Sequence, residues 1–129
     1  MSSACAPAHW LLGAAGLLRG RRAATHWMVR DLLQAFGAEP VADRVVVDGK
    51  TFTGGVTAGI DVALTVAAEI TGRATAEAIQ LGIEYAPAPP FASGSPGTAD
   101  PAVVAAVLAW AETCQRDRAE RVARAAAAL

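Results

Sequence analysis

Apolar positions alternate between helical and extended spacing along the chain, and the breaks between the two give the expected elements. Ala6 to Leu18 is rich in Ala, Leu and Trp, with Pro7 suited to a first helical turn, so a helix ending near Gly20 is predicted. Ala23 to His26 follows as a short buried strand or strand end. Met28, Val29, Leu32, Leu33 and Phe36 then recur at helical spacing, and Gly37 closes that helix as a C-terminal cap. From Arg44 to Thr53, Asp48-Gly49 sits between two β-branched runs and predicts a hairpin.

Beyond Gly54-Gly55 the helical period returns. Thr57 is the expected cap of a helix with Ile60, Leu64, Ala67, Ala68 and Ile70 on one face, ending at Gly72, and Thr75 the cap of a shorter helix through Ile79 and Ile83. The Pro-rich stretch after Tyr85 can continue neither period and predicts a surface loop. Asp100-Pro101 starts a helix in which Val104, Val107, Leu108, Ala111 and Cys114 form an apolar stripe. Past Cys114, pairs such as Asp117 with Arg121 and Glu120 with Arg124 predict a solvated helical tail that frays. The expected division is therefore residues 1–114 as one α/β domain and 115–129 as a charged tail, without internal repeats.

Composition narrows the class. A chain of 129 residues with 53% hydrophobic content can bury about 68% of its unfolded surface in a single core. A net charge of -1 lacks the basic footprint of a nucleic-acid binder, so no nucleic-acid partner is expected. Every apolar run is interrupted before the roughly 18 residues of a membrane span, and no basic segment precedes Met1–Leu18 as in a signal peptide. Cys5 and Cys114 have no zinc or disulfide-scaffold spacing. A reduced, cytoplasmic chain is expected.

Candidate chemistry lies near the start. Cys5 precedes an apolar helix whose N-terminal pole would favour a thiolate, and His26 could orient or deprotonate that thiol. The plainer alternatives are an incidental thiol and a histidine packed beside Trp27. Arg19, Arg21 and Arg22 read as complements to the C-terminal pole of the first helix. His9 reads as an exposed helical side chain, Asp61 as a structural first-turn acid, and Cys114 as a small buried hydrophobe. Gly54-Gly55 lacks the pattern of a phosphate loop. The Pro87–Pro96 loop either closes over a pocket or a partner subunit, or is plain surface.

Three stretches carry a resemblance. Leu12–Trp27, with its Gly-Ala-Ala-Gly-Leu-Leu and Thr-His-Trp motifs, resembles the segment after the nucleophile cysteine in the ThiJ/PfpI branch of the class I glutamine amidotransferase-like superfamily. Val45–Asp61 is similar to that family's hairpin and following helix, and Ala78–Pro96 to the tail of its isonitrile hydratase-like members. The resemblance covers residues 6 to 110 and corresponds to the family's second half. It implies the C-terminal portion of a flavodoxin-like three-layer α/β/α sandwich with a β-hairpin, N-terminally truncated, without the strand that leads into the nucleophile elbow or the acidic residue that contacts the thiol.

The same resemblance implies a cysteine-dependent hydro-lyase without metal or organic cofactor that turns an isonitrile and water into an N-substituted formamide, acting on a small molecule, with Cys5 as nucleophile and His26 as its neighbour. Family members place that histidine twenty residues after a cysteine in Cys-Thr-Gly. Counting back from His26 reaches Ala6, with Pro7 and Ala8 where Thr and Gly belong, so Cys5 takes the position only with a one-residue insertion. Impaired or absent activity is therefore expected, the alternative being a non-catalytic remnant or interaction module. Helix faces left without part of their sheet further imply a homo-oligomer or an aggregation-prone monomer.

Overall fold

The computed structural model describes residues 2–5, 8–114 and 117–128; for residues 2–5 and Cys114 it describes the backbone alone. Five strands and five α-helices occur among them: β1 (Ser2–Cys5), α1 (Ala8–Ala14), β2 (Arg22–Ala23), a 3₁₀ helix (Trp27–Phe36), β3 (Glu39–Pro40), β4 (Val45–Asp48), β5 (Thr51–Gly54), α2 (Gly59–Thr71), α3 (Arg73–Gly82), α4 (Pro101–Cys114) and α5 (Arg118–Ala126).

The hairpin forms as expected and anchors the larger sheet, whose strand order is β1-β5-β4. Asp48 pairs with Thr51, so Gly49 and Lys50 are the two turn residues, with Gly49 at φ +60°. This glycine-first turn suits the right-handed twist of paired strands. All four residues of β5 are buried, as in an internal strand, whereas Val46 is buried and Val47 exposed on β4.

β1 runs parallel to β5, with Ser2 opposite Thr51 and Cys5 opposite Gly54. A strand leading to the cysteine is thus present, contrary to the expectation from sequence. Ser-Ser-Ala-Cys has little β-propensity of its own, and its extension comes from the ladder with β5. β2 and β3 form a second parallel pair, Arg22 opposite Glu39 and Ala23 opposite Pro40. Two bonds tie β2 to the hairpin: the Ala24 amide donates to Thr53 Oγ1 at 3.0 Å and the Arg22 amide to Asp48 Oδ2 at 2.8 Å.

The arginines expected at a helix pole have other work. Arg21 pairs with Asp48 at 3.3 Å and Arg22 with Asp43 at 3.3 Å. The reason is that α1 stops at Ala14, short of the predicted end near Gly20, and the chain passes through turns with Gly16 and Gly20 at positive φ. Leu18 then enters a cluster with Ala23, Leu33 and Ala38, flanked by Trp10 and Leu12. Gly13 admits the Phe36 ring, since a Cβ there would lie 2.5 Å from Phe36 Cγ. The Trp27–Phe36 segment is helical as predicted and ends at Gly37, φ +71°, but with the tighter 3₁₀ winding.

The later helices depart further from their patterns. α2 ends at Gly72 as expected, but Ala58 occupies its N-cap position without a side-chain bond, so Thr57 is not the cap. Thr75 lies inside α3 and bonds back to the Thr71 carbonyl at 3.4 Å. Asp61, in the first turn of α2, binds Arg44 at 2.7 Å and accepts from Tyr85 Oη at 3.3 Å, joining α2, the start of β4 and the end of α3.

Asp100 opens α4 by accepting from the Ala102 amide at 2.7 Å. The α4 stripe is not a core face: among its described side chains Ala111 is buried, Val104 and Val107 are half-buried and Leu108 is exposed, as is the neighbouring Trp110. No strand lies beneath it among the described residues. α5 differs in the opposite sense. Val122 is buried and the helix packs on the 3₁₀ helix and α1, so the tail is docked where fraying was expected. Among the described residues no helix is long and apolar enough to cross a membrane.

Candidate active site

Chemically useful side chains gather where parallel strands end. β2 leads into Thr25 and His26, and β5 leads into Gly55. These residues line a cleft of about 730 Å³ with Trp27, Arg30 and, from the Pro-rich loop, Gly94 to Pro96. Carboxyl ends of strands are the usual ligand edge of open α/β sheets, because strand ends and helix starts leave loops and backbone groups free there. The loop therefore borders a pocket, which was one of its two expected uses.

His26 serves two elements. Its Nδ1 accepts from the Met28 amide at 3.4 Å, which caps the 3₁₀ helix, and its ring stacks on Trp27 with centroids 5.8 Å apart. With Nδ1 used as an acceptor, the neutral ring carries its proton on Nε2. Partial burial, then the charge of Arg118, lowers its pKa below the ordinary 6.5. The ring is therefore neutral at pH 7 and equipped to donate from Nε2, a different disposition from a free general base.

Cys5 closes β1, and its backbone pairs with Gly54, immediately before the cleft residue Gly55. Its side chain lies outside the described residues, as do Ala6 and the side chain of Cys114. The backbone brings Cys5 to the strand edge that presents His26. The dipole argument for the thiol loses force, because α1 is only 7 residues long and opens at Ala8.

His9 is the clearest correction. It is fully buried, and neither ring nitrogen has a hydrogen-bond partner among the described residues. Burial lowers its pKa to about 4, against a smaller opposing influence of the Ala24 backbone. The residues of α1 alone could not show this, because the elements returning over it are distant in sequence.

Arg30 was missed for a related reason. In a 3₁₀ helix residues three apart eclipse, so Trp27, Arg30, Leu33 and Phe36 share a face that runs from the cleft into the core. An α-helical reading scatters them. Thr25 Oγ1 and Arg30 Nε are buried without partners among the described residues, leaving polar capacity in the cleft wall. No group of three or more His, Cys, Asp or Glu suited to a metal converges among the described residues.

An open α/β sheet with a cleft at the carboxyl ends of its strands is the first level of classification. The second is familial: the sequence profile of the DJ-1/PfpI family matches residues 1–69, more than half the chain, and the protein belongs to that family. It is 58% identical over 120 residues to the isonitrile hydratase of Pseudomonas putida, an alignment covering 92% of this chain and 53% of that protein. The crystal structure of a ThiJ/PfpI family protein from Pseudomonas syringae superposes with a TM-score of 0.84 at 39% identity, over 96% of this chain and 50% of that one. The chain thus spans about half the length of these relatives.

Proposed function

We propose that this chain carries the hydro-lyase centre of an isonitrile hydratase, converting R–N≡C and water to the formamide R–NH–CHO. The observation that carries the reading is the 58% identity to a protein of that name, over a span that includes the His26 cleft. In this reading the Cys5 thiolate bonds to the terminal isonitrile carbon, which takes up a proton to give the thioimidate R–N=CH–S. Water adds its oxygen to the same carbon, one of its protons passes to the nitrogen, and the C–S bond breaks as the remaining hydroxyl proton leaves, releasing thiolate, formamide and the equivalent of the proton taken up in the first step. His26 donates from Nε2 toward the nitrogen as it gains electron density, a role that suits a ring held neutral. The steps balance without a metal or an organic cofactor.

A second reading, a non-catalytic module, draws on Ala6, Pro7 and Ala8 standing where the family's Cys-Thr-Gly belongs by the count back from His26. Incubating purified protein with a simple alkyl isonitrile and following formamide by mass spectrometry separates the two. Turnover that disappears in Cys5→Ser supports hydration, and absence of turnover leaves the module.

A further inference from the structure

We infer that the cleft takes an isonitrile whose nitrogen substituent bears a carboxylate, held by Arg30, so that the substrate is the isonitrile counterpart of an amino acid. This rests on the hydration reading of the same cleft. It extends that reading from the reacting group to the rest of the molecule.

Charge accounting around the cleft isolates Arg30. Asp43 is paired with Arg22, and Arg44 with Asp61 at 2.7 Å. His26 is neutral at pH 7, for the reasons given above. Arg30 lines the same space with no carboxylate partner among the described residues, and its buried Nε lacks any hydrogen-bond acceptor there. A guanidinium part-way into a protein wall is costly unless an anion completes it, and a carboxylate matches its fork geometry better than a neutral group does.

Thr25 adds an independent sign. It is only 6% exposed, faces the cleft, and its hydroxyl has no partner among the described residues. Its oxygen has almost no exposure, so a formamide donor or acceptor completes it only when the hydroxyl turns toward the cleft. Size agrees as well, because about 730 Å³ is a volume for a substituted molecule and far exceeds that of an isonitrile group alone.

Calorimetric titration of the full chain with N-formylglycine and with its neutral amide tests the anion contact on stable products. The acid is expected to bind about tenfold or more tighter than the amide, in line with one charge-assisted contact. Arg30→Gln is expected to reduce the acid to the level of the amide while leaving the amide unchanged, and Arg30→Lys to keep part of the preference. Should Arg30→Gln not fold by circular dichroism, the Lys variant and a salt-dependent weakening of the acid alone supply the same information. Equal affinities, binding of neither compound, or equal loss of both in Arg30→Gln overturns the inference. Turnover of neutral isonitriles without preference for isocyanoacetate over its methyl ester would also overturn it and leave hydration standing. An Arg30-dependent preference without turnover of any isonitrile would uphold the carboxylate contact and remove the reaction.

Discussion

Two regions that both carry large apolar side chains have different fates. Around the hairpin, Leu18, Leu33 and Phe52 are almost completely buried, because the 3₁₀ helix, α1 and α5 close over short strands. In α3 and α4, Ile79, Leu81, Leu108 and Trp110 remain exposed, although their helices are fully formed. The contrast separates helix formation from helix burial. Helical winding is present even where little covers the apolar side chains, while burial needs a surface supplied by distant parts of a chain.

The contrast can be broken first at its strongest point. Phe52→Ala, at a side chain 1% exposed on β5, is expected to cost about 3 to 5 kcal/mol in urea unfolding. A loss below about 1 kcal/mol would mean that the hairpin region is no better packed than α4.

Acid probes the same region without a substitution. His9 has a folded pKa of about 4 against 6.5 when unfolded, so between those pH values the unfolded chain binds a proton that the folded chain does not. Its contribution is fully present above pH 6.5 and lost as pH falls toward 4, by at most about 3 kcal/mol. Denaturation midpoints across that window, compared with those of His9→Gln, check it: the variant should lose less stability on acidification.

Overpacking sharpens the comparison at one glycine. Gly13→Ala places a Cβ against the Phe36 ring and is expected to cost about 1 to 3 kcal/mol, read from the same unfolding curves. The smallest effect belongs to the other region. Trp110→Ala, 61% exposed on α4, should change stability by no more than about 0.5 kcal/mol. A large loss there would show that α4 is covered in solution.

The sequence made some of this architecture legible because the determinants are local. Val45–Val47 and Thr51–Thr53 flank a turn glycine, Gly37 and Gly72 end helices, and Asp100 begins one. β1 was illegible because Ser2–Cys5 is extended by its partner rather than by its own residues. His9 and Val122 were misjudged because burial depends on which element returns over them, and the α4 stripe because an apolar period does not show what lies opposite. At the candidate site, the Thr-His-Trp context located His26, while Arg30 was hidden by the difference between a three-residue and a 3.6-residue turn.

The cap made by His26 makes the cleft and the 3₁₀ helix share one proton equilibrium. Nδ1 cannot accept from the Met28 amide once it is protonated, so acid withdraws the cap as it charges the ring. By thermodynamic reciprocity, an occupant of the cleft that prefers the neutral imidazole lowers the affinity of the ring for its proton and so keeps the cap in place, and the proton weakens that occupant by the same factor. Ligand affinity and secondary structure are here two readings of a single chemical potential.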